Sequence, residues 1–159
     1  MTDIPDDLRM AIWTVCVTDL EESKRFYCEG LGFKEGKSHA SDMPPNSDIA
    51  KAFDVPKGAK TRGTFLSRPD VHMRLVCFDE PKPVGGRGRK PTNQVGPRCM
   101  IFLTSNPRAV GERLEKLGGK IVHERRGEPF DAVFVTDPDG FSIQIENLPY
   151  SQFEQGFQK

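Results

Sequence analysis

The sequence predicts an α+β fold in which one unit, a strand followed by a capped helix and further strands, occurs twice. An apolar run opens each unit, at residues 12–17 and again at residues 100–104. Positions that mark helix starts and stops recur at one common spacing: Thr18 with Thr104, and Gly32 with Gly118. The repeated order and spacing indicate an internal duplication.

The first helix is predicted over about residues 19–29. Thr18 lies three residues before Glu21, the spacing of a capping box, in which a hydroxyl and a carboxylate satisfy free backbone N–H groups. An apolar stripe and two glycine stop signals follow: Leu20, Phe26, Tyr27, Gly30 and Gly32.

The second helix begins at a proline. Ser105 or Asn106 can cap it, and Pro107 takes the first helical position, where its missing N–H costs nothing. Apolar residues at helical spacing, a glycine stop and a new strand follow: Val110, Leu114, Leu117, Gly118, Gly119 and residues 120–123.

Two strands are predicted between the helices, at residues 61–67 and 71–78. In the latter strand, two sets of side chains alternate between opposite faces: Met73, Leu75 and Cys77 against His72, Arg74 and Val76. The polar residues 36–47 are predicted to form a flap over one face, and residues 48–53 a short helix.

Residues 81–97 are predicted to form an exposed linker, because they are rich in Pro, Gly and basic residues without periodicity. Its cations, Arg87, Arg89 and Lys90, are either solvated or in contact with an anionic ligand. The spacing of its glycines does not match a phosphate-binding loop.

The last two strands are predicted to flank a tight turn. Residues 132–135 are apolar, and Asp-Pro-Asp-Gly at 137–140 supplies a preset φ at proline and a permissive φ at Gly140. The strand beyond the turn has an apolar and a polar face: Phe141, Ile143 and Ile145 alternate with Ser142, Gln144 and Glu146.

Length and charge favour a single small-molecule-binding domain. The chain has 159 residues with 23 basic and 23 acidic side chains, so there is no net charge to attract nucleic acid or an anionic membrane. No window approaches the roughly 18 apolar residues of a membrane span, and the acidic start of the sequence lacks the apolar core of a signal peptide. A cytoplasmic protein is expected.

The cysteines are predicted to be reduced and mostly buried. None is spaced as C-x-x-C, and each lies in or beside an apolar run: Cys16, Cys28, Cys77 and Cys99. This spacing also disfavours a structural zinc site.

Two stretches resemble the vicinal-oxygen-chelate superfamily, which includes glyoxalase I, methylmalonyl-CoA epimerase, extradiol dioxygenases and the bleomycin- and fosfomycin-resistance proteins. They are T-D-L-E-E-S-K-R-F-Y-C-E-G-L-G-F at 18–33 and the Asp-Pro-Asp-Gly hairpin. The resemblance covers about residues 10–149. It implies two βαβββ modules, at 10–79 and 98–149 with a linker at 80–97, that form a curved, half-open mixed sheet around a cavity.

The resemblance also identifies four positions that bind a metal in metal-dependent members. They are occupied here by Ile12, Arg74, Cys99 and Gln144, where those members carry mostly His and Glu. Isoleucine offers no donor atom, and arginine repels a cation. We therefore expect no metal and no other cofactor.

If the register implied by the resemblance holds, polar groups converge on the cavity. His72 and Glu146 are the candidate general bases, and Arg74 is the group that stabilises oxyanion charge. The alternative for the charged pair is that Arg74 and Glu146 only neutralise each other. The predicted substrate-binding residues are Ile12, Thr14, Cys99, Ile101, Ser142 and Gln144. His39 and His123 are predicted to be surface or loop residues.

The favoured function is a metal-independent lyase or isomerase that acts on a moderately hydrophobic or aromatic substrate. A ligand-sequestering protein of the bleomycin-resistance type is the first alternative, because it needs only the cavity. The second is a metal-dependent enzyme of the glyoxalase or dioxygenase type that uses displaced ligands such as His72 and Glu146. We also expect a homodimer, since several aromatic residues exceed what one small core needs: Trp13, Phe65, Tyr150, Phe153 and Phe157.

Overall fold

The computed structural model describes residues 8–42, 47–91 and 93–158. The first half contains strands β1 to β4 and two helices, the first of which continues as a π-helical segment: β1 (Trp13–Cys16), α1 (Leu20–Arg25), the π-helical segment (Phe26–Gly30), β2 (Lys34–Asp42), α2 (Asp48–Ala52), β3 (Lys60–Ser67) and β4 (His72–Glu80). The second half contains β5 (Cys99–Leu103), α3 (Pro107–Lys116), β6 (Lys120–Arg125), β7 (Ala132–Thr136), β8 (Ser142–Glu146) and α4 (Tyr150–Gln155).

The strands form two open, mixed sheets of four strands each. Their orders are β1-β4-β3-β2 and β5-β8-β7-β6. In each sheet, the strand that comes first in the chain pairs in parallel with the strand that comes last, β1 with β4 and β5 with β8. The remaining pairs are antiparallel. The identical order confirms the duplication and the α+β fold of paired βαβββ modules.

One hydrophobic core holds both modules together. Phe26 and Tyr27 of the π-helical segment are fully buried in the same cluster as Leu75 of β4, Leu114 of α3 and Ile145 of β8. The helices of the two modules approach closely at Gly30, where a Cβ atom would overlap the Leu114 side chain. The apolar faces of both sheets are thereby shielded from water. The opposite face of the first sheet is largely open, with Thr14, Cys16 and Phe65 exposed.

The capping box predicted at Thr18 and Glu21 is wrong. Asp19 is the N-cap of α1, and its carboxylate accepts a hydrogen bond from the backbone N–H of Glu22 at 3.0 Å. Thr18 instead donates its backbone N–H and its hydroxyl to Asp139, which lies 121 positions away in the other module. A tertiary contact therefore replaces the local cap.

The start of the second helix is as predicted. Asn106 accepts a hydrogen bond from the backbone N–H of Ala109 at 3.1 Å, and Pro107 is the first residue of α3. The helix predicted over 48–53 is also present, as α2.

The flap predicted over residues 36–47 is wrong for the part that the structure describes. Lys34–Asp42 is the edge strand β2, paired antiparallel with β3, and residues 43–46 lie outside the described ranges. The strand has almost no apolar residues because both of its faces are largely exposed, so it lacks the alternation by which a half-buried strand is recognised.

The prediction of mostly buried cysteines is also wrong. Cys77 is buried, Cys28 and Cys99 are half-buried, and Cys16 is exposed, and all four are free thiols. Cys16 is exposed because it lies on the face of β1 that the helices do not cover. No helix within the described ranges is long and apolar enough to cross a membrane.

Candidate functional site

The first sheet has one face under the helices and one open face. On β4 the alternation is as predicted: Met73, Leu75 and Cys77 are buried, whereas Arg74 and Val76 are only half-buried on the opposite face. The open face therefore carries the even-numbered residues of this central strand.

Arg74 is a cation without a partner on this open face. Its Nε atom is buried and makes no hydrogen bond, and no carboxylate of residues 8–42, 47–91 and 93–158 forms an ion pair with it. Thr14 of β1 lies opposite it on one side and Phe65 of β3 on the other. Both neighbours are exposed, so the guanidinium borders open space.

The second sheet presents the matching face of its own module. Cys99 and Ile101 of β5 lie opposite Ser142 and Gln144 of β8. Three of these residues, but not Ile101, line a cavity of about 170 Å³ that the linker helps to enclose. The linker contributes Arg89 and Lys90 to the walls, Arg98 follows directly after it, and Phe134 and Phe141 add aromatic surface.

Glu146 is a buried carboxylate at the end of β8, with 4% of its surface exposed. It accepts a hydrogen bond from the side-chain amide of Gln144, two residues earlier on the same face. The hypothesis that Glu146 neutralises Arg74 is not supported, since the described residues form no ion pair between them. Glu146 is instead satisfied within its own strand.

His72 lies at the edge of the first sheet. It is the exposed first residue of β4, and it lines a shallow cavity of about 230 Å³ together with Ile12 and Asp70. The structure thus divides most of the predicted site residues among three separate surfaces: Ile12 with His72, Thr14 with Arg74, and Cys99 with Ser142, Gln144 and Glu146. Ile101 is 43% exposed on β5 and belongs to none of these groups.

The linker is anchored by Arg87, a role that the sequence did not reveal. The Arg87 guanidinium donates to the Thr18 hydroxyl at 2.8 Å and forms ion pairs with Glu22 at 2.5 Å and with Asp139 at 3.5 Å. The next residue, Gly88, lies so close to the Asp-Pro-Asp-Gly turn that a Cβ atom on Gly140 would overlap its carbonyl group. The linker is therefore a fixed wall of the cavity, and only its other cations remain available to a ligand.

Asp137, the first residue of the Asp-Pro-Asp-Gly turn, holds this turn in place through its carboxylate. One of its carboxylate oxygens accepts the backbone N–H groups of Asp139 at 3.0 Å and Phe141 at 2.8 Å, and the other accepts the Tyr27 hydroxyl at 2.8 Å. Burial raises the pKa of Asp137 above its usual range, and burial together with the nearby carboxylate raises the pKa of Tyr27 well above its own. The pair fixes the start of β8 and does not reach the open face.

Comparison with known sequences decides the family. A sequence model of the Glyoxalase/Bleomycin resistance protein/Dioxygenase superfamily matches residues 9–145. The chain belongs to this superfamily. No curated protein matches it in sequence.

Solved structures of the superfamily share the fold at low sequence identity. A glyoxalase family protein from Bacillus cereus aligns with a TM-score of 0.75 and 17% identity, over 92% of this chain and 97% of that chain. The fosfomycin resistance protein FosX from Mesorhizobium loti aligns with a TM-score of 0.57 and 17% identity, over 92% and 97% of the two chains. FosX from Listeria monocytogenes gives 0.60 and 14%, over 91% and 96%. These similarities show a common fold, and function has to be argued from the residues of the site.

The residues at the four metal-binding positions that the superfamily resemblance implies do not fit a divalent ion. Ile12 and Arg74 belong to the first module, and neither has a lone pair to donate. Only Cys99 and Gln144, in the second module, carry donor atoms. Within the described ranges, no three His, Cys, Asp or Glu side chains are grouped closely enough to hold a metal. A site built from His72 and Glu146 would therefore lack a third protein ligand of these types.

Proposed function

We propose that this superfamily member is a metal-independent lyase or isomerase that moves a proton on an anionic, moderately hydrophobic or aromatic substrate. The observation that carries the proposal is the Arg74 guanidinium, which has a buried nitrogen without a partner on an open sheet face. Arg74 takes the place of the metal by holding the substrate anion.

The chemistry of the guanidinium favours a planar anion. A buried donor without an acceptor costs free energy, and a charged ligand oxygen removes this cost. Carboxylate, phenolate and enolate oxygens match the donor geometry of arginine, which holds them through short, charge-assisted hydrogen bonds. Beside Arg74, the exposed residue Thr14 carries a hydroxyl and Phe65 an aromatic ring, which offer one polar and one apolar contact.

The proposed reaction is proton transfer next to a carbonyl group. A base, His72 or Glu146, removes a proton from the carbon beside the carbonyl, and the electron pair moves onto the carbonyl oxygen to form an enolate. Arg74 stabilises the negative charge as it develops on that oxygen. The enolate then regains a proton on the opposite side of the same carbon in an isomerase that inverts this centre, or expels a leaving group from the neighbouring carbon in a lyase.

A ligand-sequestering protein is the second candidate, and a specific observation favours it. Among the described residues, no hydrogen bond or ion pair connects His72 or Glu146 with Arg74. Sequestration requires only the open face, the cavity and the anion-binding cation.

Benzoate is a suitable probe of the anion site, because it combines a carboxylate with an aromatic ring. Chelator-treated protein should bind benzoate in isothermal titration calorimetry, and Arg74→Gln should weaken binding about 10- to 100-fold, the loss of one charged hydrogen-bonding group. Arg74→Lys should bind benzoate with intermediate affinity, since lysine keeps the positive charge but lacks the paired N–H donors of the guanidinium. Unchanged benzoate affinity in Arg74→Gln would contradict the proposal.

Phenylpyruvate separates catalysis from sequestration, since it is an aromatic 2-keto acid with an exchangeable C–H group. The lyase or isomerase proposal predicts that the protein accelerates exchange of this C–H for deuterium in D₂O, measured by proton NMR against buffer alone. Arg74→Gln should lose the acceleration. Saturable binding without faster exchange would support the sequestering protein instead.

A further inference from the structure

We propose that His39 is a second ligand-binding residue on the open face of the first sheet. This inference rests on the proposed function of Arg74. His39 donates a hydrogen bond from Nε2 to the end of the ligand that lies farthest from its anionic group. The ligand class is an aromatic carboxylate with a hydrogen-bond acceptor opposite its carboxylate.

The strand register brings His39 onto the same face as Arg74. His39 of β2 lies opposite Gly63 of β3, and Gly63 lies opposite Val76 of β4. Residues that lie opposite each other on paired strands share a face, so His39 points to the same side of the sheet as Val76. Val76 is two residues from Arg74, so Arg74 points to that side as well. His39 was expected to be a surface or loop residue, but it is a half-buried residue within a strand.

Gly63 directs the imidazole inward across the sheet. A Cβ atom at this position would lie 2.6 Å from Cε1 and 2.7 Å from Nε2 of His39, so the ring occupies the space that a side chain would fill. The imidazole thus extends over β3 towards β4. Any residue larger than glycine would displace it.

The surroundings of the two ring nitrogens determine how His39 can bind a ligand. Nδ1 is buried and has no hydrogen-bond partner. A buried N–H without an acceptor is less favourable than a buried lone pair, so the proton belongs on Nε2. Nε2 is then a donor on the open face, where no described residue accepts its hydrogen bond.

The spacing between His39 and Arg74 fits one aromatic ring with substituents at both ends. Two strand separations across the sheet and two residues along it put their Cα atoms roughly 12 Å apart, and both side chains shorten the gap. Phe65 lies between them: its ring centroid is 5.7 Å from the imidazole, and its backbone lies opposite Arg74. A ligand ring can therefore rest on Phe65 while its two ends contact Arg74 and His39.

The test compares 4-hydroxybenzoate with benzoate, which lacks the acceptor, in calorimetric titrations of the folded protein. Wild type should bind 4-hydroxybenzoate about three- to tenfold more tightly, the contribution of one hydrogen bond. His39→Phe should bring this ratio to about 1 while benzoate affinity stays within about twofold. His39→Gln retains a donor and should keep part of the ratio. His123→Gln, a control at an exposed histidine of the second sheet, should keep all of it.

Each other result overturns the inference. A ratio near 1 in wild type, or a full ratio in His39→Phe, shows that His39 does not contact the ligand. Equal loss of affinity for both compounds in His39→Phe and His39→Gln indicates a structural role only. A ratio lost in His123→Gln as well shows that the change is not specific to His39. These outcomes differ from failure of the proposed function, in which Arg74→Gln leaves benzoate binding unchanged.

Discussion

Two features of the structure require glycine at position 140. Its φ is +87°, and the backbone of Gly88 lies where a Cβ atom would be. Gly58 is a matched control, since its φ is +76° and no atom lies within 4 Å of the position where a Cβ would be. Gly58→Ala should lower the free energy of unfolding by about 1 kcal/mol through backbone strain alone. Gly140→Ala should cost about 2–4 kcal/mol, because overlap with the linker adds to the strain. Equal losses in urea denaturation would show that the linker does not rest on the turn.

The buried carboxyl of Asp137 makes stability depend on pH. Because burial raises its pKa above the ordinary value of 3.8, the folded protein binds this proton more tightly than the unfolded chain does. The resulting contribution is fully present below pH 3.8 and is lost as the pH rises through the raised pKa.

The Asp137→Asn variant isolates this contribution. It retains one oxygen for the N–H groups of Asp139 and Phe141 and cannot ionise. The free energy of unfolding of wild type should therefore fall, relative to the variant, as the pH rises above 3.8. A constant or opposite difference between the two urea-denaturation curves would mean that the pKa of Asp137 is not raised.

Among the structural elements, the linker is the one that Arg87 holds in place, through its contacts with Thr18, Glu22 and Asp139. The side chain is about half exposed, so its ion pairs contribute little each. Arg87→Gln should lower the free energy of unfolding by about 0.5–1 kcal/mol and increase proteolysis within residues 81–97. Arg89→Gln, in the same linker but without an ion pair among the described residues, should do neither. Identical proteolysis rates for both variants would show that Arg87 does not hold the linker in place.

Local signals in the sequence were sufficient for some elements and not for others. The start of α3 was predicted because Asn106 and Pro107 act within their own turn. The start of α1 was not, because Thr18 binds Asp139 across the modules. Strand β4 was predicted from its alternation, whereas the exposed edge strand β2 has no such pattern.

The open site face was predictable in part for the same reason. Alternation on β4 identified the side chains that share a face with Arg74. His39 could not be found in this way, since its direction depends on Gly63, a residue of the neighbouring strand. The roles of His72 and Glu146 remain predictions.

At the scale of the whole molecule, exposed aromatic residues favour self-association. Tyr150 is 66% exposed and Phe157 75%, and neither belongs to the proposed ligand site. We predict a homodimer, which sedimentation velocity at micromolar concentration should detect at twice the chain mass of 17.8 kDa. Tyr150→Ser with Phe157→Ser should weaken association if the C-terminal helix contributes to the interface. A single species at the mass of one chain would refute dimerisation.

If Arg74 binds the substrate anion in place of a metal, as we propose, ligand affinity should not depend on metal. The most direct measurement is a calorimetric titration of benzoate into protein treated with chelator and into the same protein resupplied with zinc, manganese or nickel, with metal content determined by elemental analysis. We expect the same affinity in every sample and no stoichiometric metal in the isolated protein, because Ile12 and Arg74 cannot donate to a cation. Binding that disappears with chelator and returns with about one equivalent of metal per chain would contradict the proposal.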